Sequence, residues 1–226
     1  SLQLEQAWSM FKPKEHQVTN DFVFGPNQSL KIISGANMSG KTHSLKGLGV
    51  AALCASATGH APAKSAKMPF YDQFIYADRT PAAADQDRSG LGTEIDQWGK
   101  INHILETAQN ALVITDEMFT TVPEEPGAAL EFGQLAHMLQ QGHTVAAATH
   151  HHDVVRKMVT HYSDPVKAHH FETNMAANPQ TGRPEISFTY KMQPGEAESQ
   201  AVDVAERLGL HPDIIKFARI FESLAA

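Results

Sequence analysis

Leu30-Lys31-Ile32-Ile33-Ser34-Gly35-Ala36-Asn37-Met38-Ser39-Gly40-Lys41-Thr42 decides the fold of this chain. An apolar run of strand character ends at Ser34 and a glycine-framed loop spans 35–41. Leu45, Leu48, Ala52, Leu53 and Cys54 then predict the inward side of a helix from about Thr42 to Thr58. Gly59 stops it and Pro62 confirms the stop. Residues 35–42 fit G-x-x-x-x-G-K-[ST] and lie where that motif must lie, between a strand and a helix. Gly35 and Gly40 permit backbone angles that turn the N–H groups of Gly35, Ala36, Asn37, Met38, Ser39 and Gly40 inward, a nest for phosphate oxygens. The helix N-terminus adds partial positive charge. Lys41 reaches the β- and γ-phosphates, and the Thr42 hydroxyl ligates Mg²⁺. A chance glycine turn with a surface lysine is the alternative, and the flanking strand and helix speak against it.

Working outward, Asp21–Phe24 reads as a strand joined to Leu30–Ser34 by the turn Gly25-Pro26-Asn27-Gln28. Phe74–Ala77 is a short strand and 78–92 an exposed loop. Thr93 to about Gln109 predicts a helix with the stripe Ile95, Trp98, Ile101, Ile104 and Leu105. Ala111–Thr115 and Thr144–Ala148 are continuous apolar runs, the mark of buried central strands. Between them lie a Pro-rich loop at 118–126 and a helix over about Gly127–Gln141. Val154–Val159 sits on a short helix. Val166–Met175 and Glu185–Met192 read as strands around the turn Pro179-Gln180-Thr181-Gly182, and helices at about 196–209 and 212–224 end the chain. The grammar predicts one α/β domain over 1–226: a P-loop NTPase with a mainly parallel central sheet, antiparallel additions and a C-terminal helical pair. The helical extension is 196–226.

The 226 residues are enough to bury a core without staples. A single cysteine, Cys54, excludes an internal disulfide and points to a reducing compartment. A net charge of −7 argues against this segment being the main grip on DNA or on an anionic membrane. There is no spanning apolar run and no signal-peptide pattern, so a cytoplasmic location without membrane partners is expected. The first residue is Ser1, which reads as a fragment or processed start with further sequence upstream.

Two further signals fall at strand ends. Leu112-Val113-Ile114-Thr115-Asp116-Glu117, about 75 residues after the lysine, looks like a Walker B element. Asp116 would hold Mg²⁺ through water, and Glu117 would orient and deprotonate the attacking water. Ala148-Thr149-His150 ends the next buried strand, so His150 would approach the γ-phosphate from the same sheet edge. His151 and His152 follow, and His169-His170 lies further on. Adjacent side chains are expected to diverge, and no cysteine cluster supports a metal site there. Trp8 and Trp98 show no chemical context and read as core.

Together these motifs resemble the ATPase domain of the MutS family of DNA mismatch-repair proteins, over nearly the whole chain. The family's G-P-N-M-G-G-K-[ST] is GANMSGKT here, and Asn37-Met38 separates it from most P-loops. Gly59–Ala63, Leu112–Glu117 and Ala148–His150 match G-x-x-V-P-A, L-V-L-x-D-E and A-T-H. Phe188–Gly195 and Ala201–Ala218 resemble the family's F-x-Y-x-x-x-x-G and terminal helix-turn-helix. The resemblance implies an ABC-type ATPase using ATP and Mg²⁺, with catalytic residues Lys41, Glu117 and His150 and metal residues Thr42 and Asp116. It implies an ATP-dependent homodimer in which each bound nucleotide meets the partner's signature loop, and DNA held by domains outside this chain. Tyr190 stands where the family flanks the adenine, with His16 or Val18 expected on the other side.

Two departures fall on the trans-acting parts. The family's S-G-x-S-T-F-x-x-E is Ser89-Gly90-Leu91-Gly92-Thr93-Glu94-Ile95-Asp96-Gln97, so Gly92 replaces the serine that touches the partner's γ-phosphate. The Gly92 N–H, Ser89 or Thr93 would have to substitute, and a flexible loop is the alternative reading of Ser89–Thr93. Met118–Pro126 (MFTTVPEEP) replaces G-R-G-T-S. Two other readings stay open: a nucleotide-gated dimerisation switch with little turnover, and an ABC-type ATPase of another DNA-processing role such as recombination control.

Overall fold

A computed structural model of the chain describes residues 1–36, 38–78, 90–177, 184–196 and 201–224. The elements in order are β1 (Gln3–Ala7), β2 (Asn20–Val23), β3 (Leu30–Ser34), α1 (Lys41–Thr58), β4 (Ser65–Lys67), β5 (Gln73–Ala77), α2 (Gly90–Thr107), β6 (Ala111–Asp116), α3 (Glu124–Gln140), β7 (Thr144–Ala148), α4 (His152–His161), β8 (Val166–Ala177), β9 (Pro184–Pro194), α5 (Ala201–Arg207) and α6 (Pro212–Leu224). Six strands form the central sheet in the order β5-β6-β7-β3-β8-β9. The first five run parallel, and β9 pairs antiparallel with β8.

The near-continuous apolar strands are explained by burial on both faces. Ile32, Val113, Val145 and Ala147 point to one side, beneath Trp98, Ile101 and Leu105 of α2, Leu135 and Met138 of α3 and Val154, Val155 and Met158 of α4. Ile33, Leu112, Ile114, Ala146 and Ala148 point to the other, beneath Leu45, Leu48, Ala51 and Ala52 of α1. Leu2, Leu4, Phe22 and Phe24, from a second sheet and its margins, close that second core. This small sheet is antiparallel, ordered β2-β1-β4, and packs beside α1.

Several expectations change. β1 and β4 do not announce themselves in the sequence: QLEQA and SAK carry little apolar pattern and become strands through their pairing with each other. Leu53, expected inward, is half exposed and Cys54 only partly buried, because the inward stripe of α1 runs through positions 45, 48, 51 and 52. Ile95 and Ile104 likewise lie outside the buried face of α2, which is Trp98, Ile101 and Leu105. α2 starts at Gly90, inside the expected loop. α3 starts at Glu124, with Pro126 in its first turn, where no N–H donor is required. α5 ends at Arg207, two residues before the expected end, as Gly209, at φ +87°, turns the chain and the Leu210 N–H reaches the Ala205 carbonyl. The turn at 179–182 lies outside the described residues.

Candidate functional site

The parallel strands deliver three loops to one edge of the sheet. The Glu117 N–H donates to the Ala148 carbonyl and the Thr149 N–H to the Ile33 carbonyl, so the ends of β6, β7 and β3 are tied side by side. The loop after β3 needs its glycines. Gly35 and Gly40 have φ of +139° and +108°. A Cβ on Gly40 would lie 3.0 Å from Tyr190 Cδ1. Met38 also has positive φ, at +69°, and its side chain is exposed. Asn37 lies outside the described residues.

At the head of α1, Lys41 is buried, and its Nζ donates to the Gly35 carbonyl at 2.7 Å and the Ala36 carbonyl at 3.3 Å. Glu117 Oε1 lies 3.9 Å from the same nitrogen. Burial lowers the Lys41 pKa from its ordinary value, and the Glu117 and Asp116 carboxylates work against that. The Thr42 side chain hydrogen-bonds to Asp116. Burial raises the Asp116 pKa, opposed by the Thr42 bond, and its Oδ1 is buried without a hydrogen-bond partner. An orphaned carboxylate oxygen beside a hydroxyl suits Mg²⁺, which takes one or two protein oxygens and completes its shell with water and phosphate. Among the described residues no group of three or more His, Cys, Asp and Glu is arranged for a metal, so the fit is to that sparse kind of site.

A cavity of about 830 Å³ opens beside these groups. Its lining brings Lys41, Thr42 and Glu117 together with Tyr190, His16 and Val18, the residues anticipated around a base. Trp8, read from sequence as core, is only partly buried and lines this cavity, whereas Trp98 is buried in the core. Lys12 and Lys46 also line it, and together with burial they lower the His43 pKa. Glu15 and Glu117 lie among them, so basic and acidic side chains share the lining.

Tyr190 owes its place to an irregularity. Phe171 pairs with Met192 but Thr173 pairs with Phe188, so β9 carries two extra residues, and Tyr190 takes a φ of +55° within this bulge. Asn20 holds the bulge: its Nδ2 donates to the Tyr190 carbonyl at 3.0 Å and its Oδ1 accepts from the Met192 N–H at 2.7 Å. Nothing in the local sequence around Asn20 signals this clamp, because its partners are 170 and 172 residues away.

His150 is exposed at the end of β7, within the electrostatic reach of Glu117 and Lys41. It does not diverge from His151: the two ring centroids are 4.1 Å apart. His151 is buried on Glu131 of α3, a residue the sequence reading passed over. Gly92 lies in the first turn of α2 and does not line the cavity, and Ser89 lies outside the described residues. The Met118–Pro126 segment turns its apolar side chains inward. Met118 and Phe119 are buried, Phe119 against Trp98. Glu94, itself buried, accepts from the Thr120 and Thr121 N–H groups and the Thr121 hydroxyl.

A parallel sheet delivering a glycine loop, a buried lysine and a strand-end Asp-Glu pair to one edge defines a P-loop ATPase domain of the α/β class. The family profile described as MutS domain V matches residues 31–224, and the chain belongs to the MutS family. It is 28% identical over 209 residues to a protein named DNA mismatch repair protein MutS from Lactobacillus delbrueckii subsp. bulgaricus, covering 91% of this chain and 23% of that one. It is 27% identical over 222 residues to Endonuclease MutS2 of Bacillus velezensis, covering 96% and 26%. The match to DNA mismatch repair protein MutS of Streptococcus pneumoniae serotype 19F is 27% over 201 residues, 88% and 22%. The chain thus spans about a quarter of the length of the curated relatives it matches. No helix among the described residues is long and apolar enough to cross a membrane.

Proposed function

We propose that this domain binds Mg-ATP and hydrolyses it, and that in a longer cytoplasmic protein the cycle is coupled to recognition of a DNA mismatch or other DNA structure. The observation that carries the reading is the convergence of Lys41, Thr42 and Glu117 on one cavity, with Asp116 bonded to Thr42 just behind it. The Lys41 ammonium, now on the Gly35 and Ala36 carbonyls, turns to the β- and γ-phosphates as they enter the nest. Thr42 and Asp116 would hold Mg²⁺, which would supply neutralisation of the phosphate charge. Glu117 accepts a proton from the water attacking in line, and His150 faces the same γ-phosphate. Tyr190 packs against the adenine, with His16 and Val18 opposite. Two copies would close on two nucleotides by symmetry, each presenting the Gly92 end of α2 to its partner.

The test is calorimetric titration with Mg-ATP of the parent and of Lys41→Ala, followed by phosphate release across protein concentrations. Binding that is abolished in the variant and turnover that rises with concentration support the reading. Undiminished binding in the variant overturns it.

A second reading, a nucleotide-gated association switch with little turnover, is favoured by the segment after the Asp-Glu pair. Met118 and Phe119 are committed to the core and Thr120 and Thr121 to Glu94, which leaves that segment poorly equipped to act on a partner's nucleotide. Tight ATP binding without turnover at any concentration is its signature.

A further inference from the structure

We propose that Glu131 and His151 form a buried bracket that positions His150 toward the bound nucleotide. The inference rests on the hydrolysis reading above and deepens it. Glu131 projects from α3 and is fully buried, with Oε2 accepting from the Thr149 hydroxyl at 2.9 Å. His151 Nδ1 lies 2.6 Å from the same oxygen. The His151 N–H in turn donates to the Thr149 hydroxyl oxygen at 3.0 Å. Three hydrogen bonds thus close a ring through α3 and both sides of His150, and the residue between Thr149 and His151 has nowhere to go but outward. Gly127 lets the start of α3 lie close to the loop after β6, where a Cβ would come 2.8 Å from the Phe119 carbonyl oxygen.

The bracket also fixes charge. Two donors converge on Oε2 while Oε1 is buried with no partner at all. Burial raises the Glu131 pKa, opposed first by the His151 bond and then by the Thr149 bond, so the proton of the pair is shared along the short Oε2–Nδ1 contact. The Glu131 bond raises the His151 pKa, and Glu124 and Glu117 add to it. The neighbouring ring feels the result: although its edge is exposed, partial loss of solvent and then the His151 charge lower the His150 pKa, opposed by Glu117 and Glu124, while Lys41 lowers it further. A neutral His150 leaves Glu117 its role as proton acceptor, whereas an imidazolium there would compete for that carboxylate. Glu131 and His151 touch no nucleotide themselves; they are positioning residues.

The test uses the 226-residue chain. Breaking one partner alone strands the other in the core, so the informative variant is the double replacement Glu131→Leu with His151→Phe, which exchanges a buried ion pair for apolar groups of similar bulk. Glu131→Gln accompanies it, keeping shape and removing charge. For the double variant we expect a cooperative urea transition, an unchanged KM for ATP and a kcat lower by ~10²-fold, the scale of an ångström's misplacement. The His150 ring signals, followed by NMR, should shift in the parent on adding Mg²⁺ with the β,γ-imido analogue of ATP, and not in the double variant. For Glu131→Gln, which keeps an acceptor for Thr149 and His151 but sets an amide NH2 where Oε1 has no partner, the His150 titration moves up toward the ordinary histidine range. A folded double variant with parental kcat and parental His150 response overturns the bracket, as does a parent that binds the analogue while its His150 ignores it. If the parent binds nucleotide without hydrolysing it, the hydrolysis reading has failed, and the ring response alone decides the bracket. If it binds none, the decision passes to the His150 side chain of the free chain: a single rotamer in the parent, held against the His151 ring, that is freed in the double variant sustains the bracket, and a ring equally mobile in both overturns it.

Discussion

Replacing Asn20 with alanine removes a side chain that joins β2 to the bulge carrying Tyr190. Asn20 is 7% exposed and makes two hydrogen bonds to backbone, one at 3.0 Å to the Tyr190 carbonyl and one at 2.7 Å from the Met192 N–H. A hydrogen bond of this kind contributes about 0.5–1.5 kcal/mol net, and a buried group left unpaired costs about 1–3 kcal/mol. Water reaches part of this site, so the expected loss in unfolding free energy is about 2–4 kcal/mol. The bulge then relaxes, and Tyr190, whose φ of +55° is held against its own preference, leaves its seat beside Gly40. A ring stacked on a base contributes about 1–3 kcal/mol, so the Kd for Mg-ATP should rise about 5- to 150-fold. Urea unfolding gives the first quantity and calorimetric titration the second. Asn20→Asp, which keeps the acceptor for Met192 and sets a carboxylate against the Tyr190 carbonyl, should weaken binding as well. If Asn20→Ala unfolds at the parental urea concentration and binds ATP with parental affinity, the clamp has no energetic content and the bulge stands by itself.

Gly40→Ala should lose about 1–2 kcal/mol to the left-handed backbone alone, with the Tyr190 contact added, and its Mg-ATP affinity should collapse while the circular dichroism spectrum is kept. Glu117→Gln should retain ATP affinity and hydrolyse ~10²–10⁴-fold more slowly; parental turnover would shift the proton-accepting role to His150. Sedimentation of the same variant should show association only with Mg-ATP present, and its absence at high concentration, unrelieved by Gly92→Ser, would place the dimer contacts outside this chain. His169 supplies a pH dependence. Burial and the neighbouring Lys31, 2.9 Å from its Nε2, lower its pKa to about 4 from 6.5. The unfolded chain therefore binds the extra proton first, and stability falls as pH drops through that window. Between pH 7 and 5 the loss from this ring is about 2 kcal/mol, and urea melts of His169→Gln should be flatter than the parent's by that amount.

The parts of the site legible in sequence are those that one short segment builds by itself. Gly35 to Thr42 carries its own turn chemistry, and the apolar runs before Asp116 and His150 mark central strands whose ends must share an edge. What sequence did not show depends on partners brought from afar. Ser65–Lys67 is a strand only because Gln3–Glu5 lies alongside it. Glu131 reads as a polar position on an amphipathic helix, and its burial follows from His151 and Thr149 arriving beneath it. Ile95 and Ile104 read as core because periodicity reports which residues are apolar and not how much of the helix the sheet can cover. The departure at Met118–Pro126 was visible as a difference, but its meaning, side chains turned into the core and a loop pinned to Glu94, required the packing.

The clamp between Asn20 and the Tyr190 bulge also has a meaning in time. A ribosome releases β2 early and β9 some 170 residues later, so one wall of the nucleotide cavity must wait for the other. β3, at the centre of the sheet, likewise waits for β7 and β8 on its two sides. Until then the nascent chain offers apolar strand edges and an open P-loop with no tyrosine above it. The ability to hold a nucleotide is therefore among the last properties this domain acquires as it is made, and a chain that stops short of β9 carries an intact glycine loop without a completed pocket around it.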